Sequence, residues 1–402
     1  HLNVRLKIIV PDNLGDMLSL IEEGKADIAA AGLTITPVRK DVIRFGPVYQ
    51  EVTQQLVYRQ GNKKPKNITA LNHGQLEVVA TSSHVEQLNS HQQDVPDLRW
   101  TENGELDSSG LLELVQLEMI DYTIADSNEI AANQSLFPEL RVAFNISEPQ
   151  ALAWAMPLSE DGSLYNEMAL FFEQMEDSGD LDRLIEKYYG HIRRFDYVDT
   201  RAIHRRILTH LPQYQALFEH AAREFDFDWR LLAAISYQES HWDSKAVSST
   251  GVKGLMMLTK ATARQMNVND REDPSQSIYA GAKYLASIRD RLPKRLSDSE
   301  KQWIALASYN IGFGHVEDAR VLTQQNGKNP DLWSDIKVYL ARLSKKEWYS
   351  QTRYGYARGG EPVRYIENIR RYYDILLHQQ QNSNNVEVTD DPLKQKEFPA
   401  AL

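Results

Sequence analysis

Glu239 is the residue of this chain best placed to move a proton. Asp228 stands where a helix N-cap belongs, and Trp229, Leu231, Leu232, Ala234 and Ile235 follow at helical spacing up to Glu239. Glu239 lies seven residues after Leu232 and four after Ile235, so it projects from the apolar stripe rather than the wet face. Burial there disfavours a charged carboxylate, and the negative end of the helix dipole acts in the same direction, so the pKa rises. A carboxyl that keeps its proton near neutral pH suits general-acid work. The alternative is a Glu at a helix end that turns out to solvent.

Further residues follow in a fixed order. Ser240, His241 and Trp242 come directly after Glu239, and Ser248 opens a stretch that reaches Gly254, Leu255, Met256 and Met257. Ala307, Ser308, Tyr309, Asn310, Ile311 and Gly312 come later, and Tyr365, Ile366 and Ile369 later still. In this order and spacing the set resembles the lytic transglycosylase domain with a goose-type lysozyme fold. The marks of that family are Glu-Ser, Gly-Leu-Met-Gln, Ala-Tyr-Asn and a late Tyr-Val-x-x-Ile. The resemblance implies that Glu239 is the single catalytic acid/base and that Tyr365 holds its carboxyl by a hydrogen bond. Tyr309 and Asn310 would line the sugar groove, with Ser248 and the Gly254, Leu255, Met256, Met257 loop as one wall. Met257 stands where most of the family has Gln, which removes an amide from the groove, and Ser308 replaces a common Ala.

The activity so implied is cleavage of the MurNAc–GlcNAc β-1,4 bond of peptidoglycan without hydrolysis, leaving a 1,6-anhydro-MurNAc end. Two-carboxylate glycosidases hold their acids about 5 Å apart for retention or about 6.5–9.5 Å for inversion. A competing reading is therefore a muramidase-type hydrolase with Asp243, four residues after Glu239, as the second carboxylate. The Ser and Lys that follow Asp243 favour a capping or surface role for it instead. Trp242, Phe313, Tyr354 and Tyr356 are candidates for stacking on sugar rings, although aromatics of a helical domain are as often core.

These residues sit in a region from about 203 where helical spacing with caps replaces every strand signal: 203–224, 228–240, 274–290, 299–310, 330–341 and 363–378. The preceding half alternates strands and helices. Val4, Leu6, Ile8 and Val10 alternate like a strand, Leu14, Met17, Leu18 and Ile21 like a helix, and 26–33 is a short apolar run. Strands at 76–80, 122–124 and 151–156 repeat the pattern, which predicts a mostly parallel sheet flanked by helices. Two helices, 164–175 and 181–189, close this half.

Thr34, Thr36, Pro37 and Arg39, followed by Phe45, Gly46, Pro47 and Tyr49, resemble the type 2 periplasmic binding domain that captures amino acids and small peptides. The resemblance implies that Arg39 clamps a ligand carboxylate, that Thr34 contacts the ligand and that Asp126 pairs with its amino group. Ser82 and Ser83, opening a helix after a strand, offer free N–H groups to an anion. The family normally begins with a further strand and helix, which this chain lacks at its start. A rival reading from another class is an amino-acid or peptide receptor whose helical half is inactive.

The expected architecture is multidomain: an α/β binding-protein-like domain over 1–192, a linker over 193–202, an all-α lysozyme-like domain over 203–378 and a disordered tail over 379–402. The 402 residues carry 45 Lys+Arg against 56 Asp+Glu, a net charge of −11, which argues against nucleic acid as a partner. Cys is absent, so disulfides, thiolate nucleophiles and Cys-ligated zinc are excluded. The His residues are scattered, and Asn267, Asn269, Asp270, Glu272 and Asp273 lack a calcium-loop register. No metal and no cofactor are expected. The two halves in this order resemble membrane-attached lytic transglycosylases of Gram-negative bacteria. That implies a periplasmic enzyme at the outer membrane, acting on peptidoglycan strands, with cell-wall stem peptides or muropeptides as effectors.

Overall fold

A computed structural model describes residues 4–189 and 197–387, in two compact units, His1–Phe195 and Asp196–Leu402. The first unit is α/β and the second is helical, as the two halves of the sequence predict.

Among the described residues of the first unit, eight strands form: β1 (Ala29–Thr34), β2 (Ile43–Val52), β3 (Gln54–Arg59), β4 (Leu76–Val79), β5 (Thr101–Asn103), β6 (Tyr122–Asp126), β7 (Leu140–Asn145) and β8 (Gln150–Pro157). They form two sheets, ordered β1-β8-β2 and β5-β4-β6-β3-β7. The expectation of a mostly parallel sheet is overturned, because β8 runs antiparallel to β1 and β2, and β3 antiparallel to β6 and β7. Among the strands of the described residues, β4 alone pairs in parallel, with β5 and β6. The reason lies in the connections. Helices Ser83–Asp94 and Ser108–Gln116 join β4, β5 and β6 as crossovers, whereas the chain leaves the smaller sheet along β2 into β3 of the larger one and returns to it along β8 after β7, so β8 runs against β2.

Leu56 and Val57 in β3 point to opposite faces of the larger sheet. Leu56 packs with Leu76, Val78, Leu88 and Ile124, and Val57 with Leu111, Leu112, Val115 and Ile130. Residues 4–10 form no strand, and Val4, Leu6 and Ile8 are 71 %, 79 % and 76 % exposed. Alternation becomes a strand only beside a pairing neighbour, and among the described residues β1 pairs with β8 alone.

The helical unit is organised around Trp229–Ser240. Leu231 to Tyr237 are buried without a break, so this helix is enclosed on all sides rather than along one stripe. It packs against Gly360–Glu387 and Gln215–Phe225. Asp228 caps it, accepting from the Arg230 backbone N–H at 2.8 Å, the Arg230 guanidinium at 2.7 Å and the Tyr373 hydroxyl at 2.8 Å. Tyr373 belongs to Gly360–Glu387, so one carboxylate fixes the register of the two helices that carry Glu239 and Tyr365.

Several boundaries differ from the sequence reading. Leu211–Gln213, with Pro212, divides the expected 203–224 helix into Tyr197–Thr209 and Gln215–Phe225. Tyr197–Thr209 begins inside the expected linker, whose residues 193–196 lie outside the described ones. Gly360–Glu387 continues past 379, where a tail was expected, and 388–402 lie outside the described residues. The unanticipated helix Phe313–Gln325 starts at Gly312, whose φ of +97° makes a sharp hinge that in sequence resembles a terminator. No helix among the described residues is long and apolar enough to cross a membrane.

Burial raises the Asp228 carboxyl, but its bonds from Arg230 and Tyr373 outweigh that and leave its pKa lowered from 3.8. The stabilisation from Asp228 is thus present above that value and lost as pH falls below it. Asp228→Ala is expected to destabilise the helical unit by about 2 kcal/mol at neutral pH. Thermal melts of the two proteins should converge on acidification.

Candidate active site

Glu239 sits one residue before the end of its helix. Part of the residue remains exposed, while its carboxyl lies deep among neighbouring atoms. Burial pushes the carboxyl up to about 7, and the Tyr365 hydroxyl, donating to Oε1 at 2.6 Å, opposes part of that rise. Burial and this hydrogen bond are the influences that set the shift, and among the described residues no second carboxylate contributes. Asp243 is exposed and its Oδ1 accepts from the Lys245 backbone N–H at 2.9 Å, which makes it a turn residue.

Two phenols face the carboxyl. Burial, then the Glu239 charge, holds the pKa values of Tyr309 and Tyr365 well above the usual tyrosine value, so both remain O–H donors. Tyr309 donates to the Met256 carbonyl at 2.9 Å, and its ring lies 5.5 Å from that of Tyr284. Asn310 is exposed at the end of Asp298–Ile311.

The loop after Glu239 is pinned from three helices. Ser236 and Ser240, one turn apart on Trp229–Ser240, donate to the Leu255 carbonyl at 3.0 and 2.9 Å. Ser277 on Pro274–Arg289 accepts from the Met256 N–H at 3.2 Å, and Tyr309 on Asp298–Ile311 bonds the Met256 carbonyl. Ser248 closes the turn, its hydroxyl accepting from Thr250 and Val252 backbone N–H groups at 3.2 Å. Gly254 has φ +82°, and a Cβ there would lie 1.7 Å from the Arg271 carbonyl oxygen. Leu255 and Met256 turn fully inward, so on this stretch Met257 alone keeps a partly exposed side chain, at φ +45°.

The structure therefore brings Glu239, Tyr309, Tyr365 and the 254–257 loop together. Trp242 is core: it is 1 % exposed and its indole N–H donates to the Ala233 carbonyl at 2.9 Å. The Phe313 ring is covered by Arg291, 4.0 Å from its centroid. Ser308 is buried, its hydroxyl satisfied by the Ile304 carbonyl. Asp273 caps Pro274–Arg289, and Gln276 accepts from the Asn269 and Asp270 N–H groups, so this polar segment is a capping turn. Ser236 and Ser277 escaped the sequence reading. The one signal for Ser236 was its i, i+4 relation to Ser240.

In the first unit, Thr34, Arg39, Ser82, Ser83 and Asp126 all line one cavity of about 310 Å³, together with Asn13, His84 and Glu129. Arg39 is buried, donating to the Thr34 and Thr81 carbonyls at 3.3 and 3.1 Å, with Glu86 3.4 Å from Nε. Burial lowers its pKa, and Glu86 and Asp126 act against that. Ser83 donates to Thr34 Oγ1 at 3.2 Å and accepts from Gln54 at 2.9 Å. His84 Nε2 is 3.3 Å from Asp126 Oδ1. Glu129 accepts from the Asp126 N–H at 3.1 Å, and burial pushes its carboxyl up. The atoms of His84, Asp126 and Glu129 that could ligate a metal lie within 4.8 Å of one another. The sequence reading, which saw scattered His and expected no metal, missed this grouping. The nearby Arg39 charge opposes a cation there.

Comparison with known proteins covers both units. Residues 1–191 match the family described as bacterial extracellular solute-binding proteins, family 3, and residues 216–332 the transglycosylase SLT domain. Tyr365 lies beyond the second match. The chain is 48 % identical to the membrane-bound lytic murein transglycosylase F 1 of Alkalilimnicola ehrlichii, over 94 % of this chain and 76 % of that protein. It is 48 % identical to the membrane-bound lytic murein transglycosylase F of Shewanella halifaxensis, over 94 % and 79 %. The Pseudomonas syringae protein of that name is 47 % identical over 93 % and 76 %.

Two outcomes follow for the buried carboxyl and its loop. Folded Glu239 holds its proton up to about 7 and the unfolded side chain releases it near 4.5. Its stabilisation is thus full below 4.5 and lost as pH rises to about 7. Glu239→Gln, which never ionises, should gain on the wild type across that window by up to about 3 kcal/mol, read from paired thermal melts. Gly254→Ala should destabilise the helical unit by about 3 kcal/mol or more through the clash with Arg271 and the left-handed backbone.

Proposed function

Because the chain belongs to the membrane-bound lytic murein transglycosylase F family and is a peptidoglycan lytic transglycosylase, we propose that Glu239 alone performs both proton transfers of the reaction. The observation that carries this reading is the buried Glu239 carboxyl poised near 7, with the Tyr365 phenol bonded to it and no second acid among the described residues acting on it. Protonated Glu239 donates to the oxygen of the MurNAc–GlcNAc bond as the bond to C1 breaks. The substrate's own N-acetyl oxygen takes the place of a second carboxylate in stabilising C1. The Glu239 carboxylate then accepts the proton of the C6 hydroxyl, whose oxygen closes onto C1. The products are a free 4-hydroxyl on the leaving sugar and a 1,6-anhydro-MurNAc end, with no water consumed.

Tyr365 is proposed to aim the carboxyl, Tyr309 to fix the groove wall through Met256, and Asn310, Ser248 and Met257 to meet the sugar. Gly254, Leu255 and Met256 serve this wall through backbone and packing, since the latter two side chains are buried. The hydrolase reading needs a second carboxylate, and the exposed Asp243, engaged in its own turn, supplies poor support for it. The receptor reading, with an inactive helical half, is incompatible with family membership at this identity.

For the first unit we propose that the Arg39–Asp126 cavity binds the zwitterionic end of a cell-wall stem peptide or muropeptide, and that occupancy changes turnover in the helical unit. Arg39 would meet the carboxylate, Thr34, Ser82 and Ser83 its oxygens, and Asp126 the amino group. Regulation requires that the ligand favour one conformational state over another, by a coupling on the order of 1–3 kcal/mol. The domain limits proposed for the two functions are 1–192 and 203–378. The proposed location is the periplasm, attached to the outer membrane of a Gram-negative cell, where the murein substrate lies.

Mass spectrometry of digested purified sacculi tests the chemistry: anhydro-muropeptides from the wild type and none from Glu239→Gln are expected, whereas reducing ends would establish hydrolysis. Removing the Tyr365 bond in Tyr365→Phe should raise the Glu239 pKa. The alkaline fall of the rate, near pH 7 in the wild type, should then move upward while the maximal rate drops about 10–100-fold. Added stem peptide should alter sacculus turnover by the wild type and leave Arg39→Ala unaffected.

A further inference from the structure

The cavity that holds Arg39 also holds a grouping that a zwitterionic ligand leaves partly unused. His84, Asp126 and Glu129 all line it, and the atoms they offer as ligands lie within 4.8 Å of one another. Each comes from the start of a helix. His84 is the second residue of Ser83–Asp94, Asp126 is the N-cap of Ser127–Asn133, and Glu129 is the third residue of that helix. Glu129 accepts from the Asp126 N–H at 3.1 Å, which ties the two carboxylates together across the cap.

His84 is 4 % exposed, and its two ring nitrogens differ. Nε2 lies 3.3 Å from Asp126 Oδ1, while Nδ1 is buried with no hydrogen-bond partner. Buried polar atoms are nearly always satisfied, so an orphaned nitrogen beside two acids marks a site that is incomplete as it stands. Charge points the same way. Asp12, Glu105, Asp107, Asp126 and Glu129 line the cavity, and among the described residues Arg39 alone brings a Lys or Arg to it. Arg39 opposes a cation, but Glu86, 3.4 Å from its Nε, already pairs with it. The carboxylates of Asp126 and Glu129 are left with an imidazole between them and solvent-sized space in front.

We propose that His84, Asp126 and Glu129 bind a zinc ion in this cavity. One imidazole nitrogen with two carboxylates is a borderline donor set that suits zinc better than magnesium or calcium, which prefer oxygen alone. Three protein ligands leave one tetrahedral position open towards the cavity. Ligand atoms around such an ion stand about 3.3–3.5 Å apart. His84 and Asp126 are already at that spacing, and Glu129 closes onto the same ion by rotation of its carboxyl. Asp126 is also the residue proposed above to meet a peptide amino group, so ion and peptide compete for one carboxylate. That consequence alone rests on the peptide reading.

The test uses the full chain, stripped with a chelator and dialysed. Competition with a chromophoric chelator reads zinc affinity. The wild type should take up one zinc per chain with a Kd on the order of micromolar. His84→Ala and Glu129→Gln should each bind about tenfold more weakly or worse, the second preserving side-chain shape as a guard against misfolding. Arg39→Met should bind more tightly, since the charge that opposes the ion is gone. Wild-type affinity in His84→Ala or in Glu129→Gln, or no uptake by the wild type below millimolar zinc, overturns the site. Zinc should also abolish any effect of stem peptide on sacculus turnover in the wild type and spare it in Glu129→Gln. A peptide effect indifferent to zinc overturns the competition. Absence of any peptide effect overturns the peptide reading, and the binding data still decide the zinc site.

Discussion

The helical unit depends on keeping one carboxyl out of water. Glu239 stays protonated near neutral pH because desolvation outweighs the Tyr365 bond that stabilises its anion. A stronger bond or a wetter site would return it to an ordinary acid, and a drier one would leave it unable to give its proton up. The surrounding structure maintains that balance. Leu231 to Tyr237 of Trp229–Ser240 are buried without a break, the helix start is locked to Gly360–Glu387 by Asp228 and Tyr373, and its end is stopped by left-handed His241 and Trp242. The indole of Trp242 then folds back to bond Ala233 in the same helix.

The wall beside the carboxyl is held by side chains with little other role. Ser236, Ser240, Ser277 and Tyr309 bond the backbone of Leu255 and Met256, so three helices fix one short loop. Gly254 is required there by the Arg271 carbonyl, and Gly281 by the Met256 side chain, which a Cβ would meet at 2.7 Å. Met257, the partly exposed side chain of this loop, takes part in none of these anchoring bonds.

The apolar spacing before Glu239 and the order of its companion motifs made the buried carboxyl and its Tyr365 partner legible. Arg39, Thr34, Ser82, Ser83 and Asp126 were likewise legible as one cavity, although they lie on separate strands and turns. What was illegible has a common cause: it depends on tertiary neighbours. The antiparallel pairing of β8 follows from the chain's return to the smaller sheet after β7, not from alternation. Val4, Leu6 and Ile8 have the strand pattern but no partner strand. His84 and Glu129 join Asp126 only through the fold, and Gly312 separates two helices with the same residue that would end one. Trp242 showed an aromatic beside the acid but not that its position was core.

The central claim is that Glu239 enters the reaction with its proton. Infrared difference spectra between the wild type and Glu239→Gln, followed through pH 4 to 9, isolate the carbonyl stretch of this one protonated carboxyl. The account predicts that the band persists through pH 6 and fades with a midpoint near 7. A midpoint near 4.5, the ordinary value, would contradict it.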